Sequence, residues 1–364
     1  MKILIAGING YMGTALYKHL KDKHEVFGFD NNLREKAVLE VGGRSITPKK
    51  EIPYDYLDAK NYDMLKRYIE DKKPDAIVWL AEQPSAPYSH IDAKHAKATI
   101  ENNQLGSINV LYTIKEVNPD IHLIKLGTEG EYPDWLWNGK HIPEGNRVKV
   151  RLLNKVGEMD DIPIEVRVDD WEIPTPRYFG SWYHFTKFSE SYMMDYANRI
   201  WGLNITDINQ GIIYGHRHGT RLDVDEFFGT LVHRFIAQAV TGNPLTVYGE
   251  GGQTRGMICL QNSLEAIELL IDNPAKGLRV LHQTGFEYSV NQVAEMIKDH
   301  IDCEIKHIEN PRPEMPRNHF TFDTSTLDKL GLKKISLEEE LPRLIKTVQE
   351  NKERIIINDQ FTKW

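Results

Sequence analysis

Short apolar runs alternate with longer stretches of helical period along the amino-terminal half of the chain. Ile3, Leu4, Ile5 and Ala6 form an unbroken run that begins at Lys2, the pattern of a strand covered on both faces. A helical stretch over about 11–20 follows, and Glu25 to Phe29 read as the next strand, ending at Asp30. Asp55 and Asp58 flank a further strand end, and Asp58 is expected to cap a helix over 59–71. Residues 76–81 predict a fourth strand, 82–92 a Pro-rich loop, 95–118 a long helix and 121–127 a fifth strand. Such alternation predicts an α/β fold, a Rossmann-type doubly wound parallel sheet.

Beyond residue 133 the pattern is less regular. Residues 133–179, rich in Trp and Pro, read as an excursion over the site, with the character of a lid. Phe185, Phe188, Tyr192, Tyr196 and Ile200 recur at helical spacing, and Gly202 supplies a stop. A strand over 203–209 follows, then irregular chain after Gly215, a helix over 227–241 and a β-rich segment at Thr246, Val247 and Tyr248. Ser289 with Gln292, and Ser336 with Glu339, fit capping boxes, and Leu327 and Leu330 before Gly331 fit a short helix. The expected division is a nucleotide-binding domain over 1–208, to which 253–280 returns, and a smaller carboxyl-terminal substrate-binding lobe built from 209–252 and 281–364.

Composition narrows the class. In 364 residues, 45 Lys and Arg stand against 53 Asp and Glu, and the net charge of −8 argues against a nucleic-acid partner. Cys259 and Cys303 make no disulfide framework and have no metal-ligand spacing, which suits a reducing compartment. No apolar run approaches the ~18 residues needed to span a bilayer. With the first strand starting at Lys2 and no leader before it, a cytoplasmic location is expected.

The candidate chemistry lies at strand ends. Gly7, Gly10 and Gly13 follow the first strand and open a helix, as a dinucleotide pyrophosphate requires. Asp30, at the end of the second strand, suits the adenosine ribose and repels a 2′-phosphate, which favours NAD over NADP. Tyr183 and Lys187 lie one turn apart on a helix, off its apolar stripe. An ammonium there is expected to lower the pKa of the phenol, so that Tyr183 takes a proton from a sugar or alcohol hydroxyl. Thr128, just after the fifth strand, is placed to hold that hydroxyl. Glu131, three residues on, suits proton movement at a neighbouring carbon, which elimination of water needs and simple hydride transfer does not. His184 either lines the same pocket or packs structurally.

These features together resemble the extended short-chain dehydrogenase/reductases, and within them the UDP-sulfoquinovose synthases. Carrying the closer resemblance are Asp30-Asn31-Asn32-Leu33, Ser85-Ala86-Pro87-Tyr88-Ser89, Thr128 with Gly130-Glu131-Tyr132, Tyr183-His184 and Asn209-Gln210-Gly211. Further on are Arg221-Leu222-Asp223, Phe228-Gly229-Thr230, the run from Pro244 to Gly256, and Asn310-Pro311-Arg312 with Glu314. The resemblance implies bound NAD, recycled while UDP-glucose and sulfite become UDP-sulfoquinovose, in a homodimer formed through the helices near His95 and Tyr183. It implies Thr128, Tyr183 and Lys187 as catalytic residues, with Glu131 or His184 moving the proton at C5 and C6. NAD contacts are implied for Gly7, Gly10, Tyr11, Met12, Gly13, Asp30, Asn31, Asn32, Leu33, Asp55, Tyr56, Leu80, Ala81, Asn103, Tyr183, Lys187 and Ile213. Substrate contacts are implied for Gln83, Thr128, Gln210, His233, Glu314 and the uracil-facing Thr246, Val247 and Tyr248. Arg234, Arg255 and Arg312 are expected to face the diphosphate. The chain departs from the family pattern at Pro84, where an Arg is usual, and at His233, where an Asn is usual. A 4,6-dehydratase or 4-epimerase is the alternative within the superfamily, and a non-catalytic NAD-binding regulator the alternative outside it.

Overall fold

The structure is a computed structural model that describes residues 1–48, 51–132, 134–159, 162–310 and 317–357. Seven strands make one parallel sheet in the order Leu278–Gln283, Ile205–Gln210, His122–Leu126, Ala76–Trp79, Lys2–Ala6, Glu25–Asp30 and Asp55–Tyr56. The order reverses beside the first strand, and the carboxyl ends of the strands on either side of it open a crevice there. Ile3, Ile5, Val78, Ile124 and Ile208 pack on one face, and Leu4, Ile77, Trp79, Leu123 and Ile205 on the other. That two-sided burial is the reason these strands are apolar runs.

The helices that flank the sheet have local stop and start signals. Tyr11–Leu20 begins directly at Gly10. Ala93–Val117 is capped by Asp92, whose side chain accepts from His95 N. Trp182–Trp201 is capped by Ser181 and ended by Gly202 at φ 70°. The third helix corrects the sequence reading. It runs Tyr62–Lys72 and its cap is Asn61, which accepts from Met64 N at 3.1 Å. Asp58 instead accepts from Lys60 N in a local turn, so its carboxylate is spent before the helix starts. Leu33–Glu40, unread in the sequence, is a helix of weak amphipathicity with only Ala37 and Val38 buried.

The apolar stripe on Trp182–Trp201 also differs from a core stripe. Tyr192, Tyr196 and Ile200 are exposed, whereas Thr186, Lys187, Glu190, Ser191 and Met194 face the protein. The helix therefore turns a polar face that includes Lys187 inward and leaves aromatic residues outside. The second lobe holds a three-stranded sheet, Ile212–Tyr214, Thr254–Cys259 and Phe286–Ser289, and the parallel pair Leu245–Tyr248 and Ile305–Ile308. Its core gathers Phe235, Ile236, Val247, Val293, Leu341 and Leu344. Both expected capping boxes, at Ser289 and Ser336, are formed. The 133–179 excursion contains the helix Asp134–Trp137 and a long antiparallel ribbon, Arg147–Met159 with Ile162–Pro174.

Candidate active site

A cavity of about 1700 Å³ runs from the glycine turn to the second lobe. Such a volume exceeds the ordinary range for one small ligand, about 300–1,000 Å³. Gly7, Gly10, Tyr11, Met12 and Gly13 line one end. Gly7 holds φ 78°, and a Cβ there would strike the Leu80 carbonyl. A Cβ on Gly13 would strike the Gly7 carbonyl, so the turn can lie this close to the helix only without side chains. Asp30 Oδ2 accepts from Asn9 N at 2.9 Å and Oδ1 from Asn32 N at 2.7 Å, which fixes the carboxylate at the strand end. Asn32 holds φ 58° and starts the next helix. This cradle fits NAD: the helix Tyr11–Leu20 opens at the glycine turn, where its N-terminus would meet the pyrophosphate, and the Asp30 carboxylate at the strand end would meet the ribose hydroxyls.

Asn31, Leu33, Leu80, Ala81 and Ile213 line the same region. Asp55 and Tyr56 do not. Asp55 accepts from Tyr68 OH at 2.8 Å and Tyr56 is exposed, while Leu57 and Ala59 beyond them reach the wall. Asn103 and Gln83 also stand behind the wall. Asn103 Oδ1 accepts from Gln83 N at 2.8 Å and its amide donates to Thr186 Oγ1 at 2.9 Å. Gln83 donates to Thr99 Oγ1 at 2.8 Å, so the pair braces the loop against two helices rather than presenting polar groups to a ligand.

The middle of the cavity holds the catalytic candidates. Thr128 caps a 3₁₀ turn, Glu129–Glu131, at the end of the fifth strand. Its hydroxyl accepts from Gly130 N at 3.2 Å, and Thr128 and Tyr183 line the same cavity. Lys187 lies one turn on, with Nζ 5.9 Å from the Tyr183 ring centre. That ammonium donates to the Leu126 carbonyl at 2.7 Å and pairs with Glu82. Burial lowers the Lys187 pKa to about 8, against the pull of Glu190 and Asp207. The expectation for Tyr183 is reversed in this state: burial, then Glu190 and Glu131, raise its pKa against the opposing pull of Thr128 and Arg34. The ammonium is committed to Glu82 and a carbonyl instead of to the phenol.

Glu131 and His184 part company. Glu131 is fully buried, takes part in the Thr128 capping box and pairs with the Arg177 guanidinium; its carboxylate is outside the cavity lining. His184 lines the cavity, its Nδ1 3.1 Å from Ser181 Oγ and its ring centre 5.2 Å from that of Tyr183. Its Nε2 edge lies over Gly130, where a Cβ would come within 2.5 Å. Glu129, which the sequence reading passed over, lies on the cavity wall. Arg177 was equally illegible, because it follows a long ribbon with no motif around it.

At the far end Gln210, His233, Arg234, Thr246, Tyr248 and Arg255 line the cavity. Arg234 Nη1 donates to Tyr248 OH at 3.2 Å and its guanidinium lies 5.2 Å from the Tyr248 ring centre. Arg255 donates to the Thr254 carbonyl at 2.7 Å and to Asn318 Oδ1 at 3.3 Å. His233 accepts from Gly215 N at 3.2 Å, and burial pushes its pKa down to about 3. Gln210 donates to Ser263 Oγ at 2.9 Å. Val247 is wholly buried in the lobe core and absent from the wall, since alternate residues of the strand Leu245–Tyr248 face opposite ways. Arg312 and Glu314 lie outside the described residues.

The model of the family described as "NAD dependent epimerase/dehydratase family" matches residues 3–281. A UDP-sulfoquinovose synthase of Sulfolobus acidocaldarius is 38% identical, over 98% of this chain and 94% of the relative. The chloroplastic UDP-sulfoquinovose synthase of Spinacia oleracea is 34% identical, over 93% of this chain and 73% of the relative. Among solved structures, a UDP-glucose 4-epimerase of Thermus thermophilus in complex with NAD superposes with a TM-score of 0.67 at 19% identity, over 95% of this chain and 98% of that one. At that identity the likeness shows the shared fold.

Proposed function

This chain belongs to the NAD dependent epimerase/dehydratase family, and we propose that it makes UDP-sulfoquinovose from UDP-glucose and sulfite. The observation that carries the reading is that Thr128, Tyr183 and Lys187 line one wall of the cavity, between the dinucleotide cradle and the second lobe, with Lys187 Nζ 5.9 Å from the Tyr183 ring centre. NAD, when bound in the cradle, supplies a reversible hydride acceptor and a positive charge.

The chain's own groups do the rest. Arg234 and Arg255 offer guanidinium groups to a diphosphate, and Thr246 and Tyr248 frame the far end, where the uridine is placed in this reading. Thr128 holds the sugar C4 hydroxyl, and Tyr183 takes its proton. Oxidation at C4 acidifies the C5 hydrogen. His184, whose ring lies 5.2 Å from that of Tyr183 on the cavity wall, can carry that proton, since Glu131 is turned into the protein. Loss of water from C6 then leaves an enone to which sulfite adds.

Two helices bear on assembly. Leu105, Ile108 and Tyr112 on Ala93–Val117 are exposed, as are Tyr192, Tyr196 and Ile200 on the helix packed beside it. A second copy of the chain covering this apolar face makes a homodimer. The activity is tested by incubating purified protein with UDP-glucose and sulfite and weighing the product. A sugar nucleotide whose hydroxyl has become a sulfonate supports the reading. A stable 4-keto-6-deoxy sugar formed without sulfite would assign a dehydratase instead.

A further inference from the structure

We infer that Glu129, and not Glu131, is the general acid that protonates the oxygen leaving C6, an assignment that rests on the reading just given. Both acids follow Thr128 on one short turn, and the turn sends them to opposite sides. Glu131 faces inward, held by Arg177, the Thr128 amide and Ser191 Oγ at 3.4 Å. Glu129 lies on the cavity wall beside Thr128, 7% exposed, with Oε1 buried and without a hydrogen-bond partner among the described residues.

Its seat is made by the opposite wall. Gly256 lies against the Glu129 carboxyl, and a Cβ at 256 would fall on Oε2. Residue 256 pairs with Glu287 on the neighbouring strand, which brings a second acid towards the Glu129 carboxyl. An ionised carboxylate there would be desolvated and beside a like charge, which makes the neutral acid the stable form. Burial, and then Glu287, push the Glu129 pKa well above the usual carboxylate range. A neutral carboxylic acid on the cavity wall beside the reacting sugar is a proton donor.

The step balances. The C6–O bond breaks with its electron pair on oxygen, that oxygen takes the Glu129 proton, and water leaves. The C5 proton passes to the His184 imidazole, and the C–H electron pair becomes the C5–C6 double bond beside the 4-ketone. The Glu129 carboxylate recovers a proton from bisulfite. The sulfite so formed adds to C6 through sulfur, and the imidazolium, its proton exchanged with solvent, protonates C5. In sum, a C6 hydroxyl and bisulfite become a C6 sulfonate and water.

The test follows the bound sugar nucleotide by mass after rapid quenching, without sulfite. Wild-type protein is expected to form a species short of two hydrogens, then one short of two hydrogens and a water. Glu129→Gln keeps the shape and removes the proton; the ketone is expected to accumulate and water loss to slow at least ~100-fold. Glu129→Asp is expected to restore part of the rate. UDP-6-chloro-6-deoxyglucose loses chloride without a proton, so the Gln variant should eliminate from it at a rate near wild type. Water loss in Glu129→Gln within a few-fold of wild type would overturn the assignment, as would a Gln variant equally slow with the chloro sugar. If wild-type protein forms neither species, it is the functional reading itself that fails.

Discussion

Lys125 Nζ and Asp207 Oδ1 stand 3.2 Å apart with both side chains shut off from solvent. Glu190 lies 4.0 Å from the same ammonium and 3.9 Å from Lys187 Nζ. A chain of alternating charges therefore runs beneath the helix Trp182–Trp201 and ends at the lysine beside Tyr183. Removing one member of such a pair leaves an uncompensated buried charge, at a cost of about 3–5 kcal/mol. Asp207→Ala is expected to lower unfolding free energy by that amount in urea titration. A loss under ~1 kcal/mol would show that Glu190 alone satisfies Lys125.

Tyr183→Phe removes the phenol oxygen and leaves the glycine cradle untouched. Product formation should fall at least ~100-fold, while NAD affinity by calorimetry stays within a few-fold of wild type. Thr128→Val should act in the same direction, since it removes the hydroxyl that lines the cavity with the phenol. Near-normal turnover in either variant contradicts the placement of the sugar C4 at this wall.

His233 sets a pH dependence of stability. Its folded pKa of about 3 lies below the ordinary imidazole value of ~6.5, so between those values the unfolded chain binds the extra proton. Stability therefore drops as pH falls through that window. The single group contributes about 2 kcal/mol of loss between pH ~7 and ~5. His233→Asn should flatten the acid side of the stability curve by about that much relative to wild type. Parallel curves for the two proteins would contradict the burial of a neutral imidazole.

The exposed row on the two packed helices predicts assembly. Tyr196→Glu combined with Ile200→Arg should convert a dimer to a monomer in sedimentation experiments, with the far-ultraviolet circular dichroism unchanged. A wild-type monomer at micromolar concentration would remove the proposal.

Much of this architecture is legible in the chain because one physical rule dominates it. Strands buried on both faces must be apolar throughout, and Ile3 to Ala6 and Ala76 to Trp79 could be read for that reason. Glycines at 7 and 13 could be read because a backbone cannot pass so close to another with a Cβ present. The orientation of Trp182–Trp201 could not. Its aromatic row has the period of a core face, and only the tertiary packing shows that Thr186, Lys187 and Glu190 take the buried side. Val247, Gln83 and Asn103 were legible as site residues only by resemblance, and their side chains support the wall from behind. Which of two acids on one tight turn meets the cavity depends on Arg177 and Gly256, 46 residues and more away in sequence, and no local pattern carries that.

Transient oxidation at C4 followed by elimination across C5 and C6 is reported most directly by product formed in heavy water. UDP-sulfoquinovose made in deuterium oxide from UDP-glucose and sulfite is predicted to carry deuterium at C5 and none at C4. Product with hydrogen at C5 would mean direct displacement at C6, and deuterium at C4 would mean that the ring hydrogen had been lost to solvent; either result contradicts the mechanism.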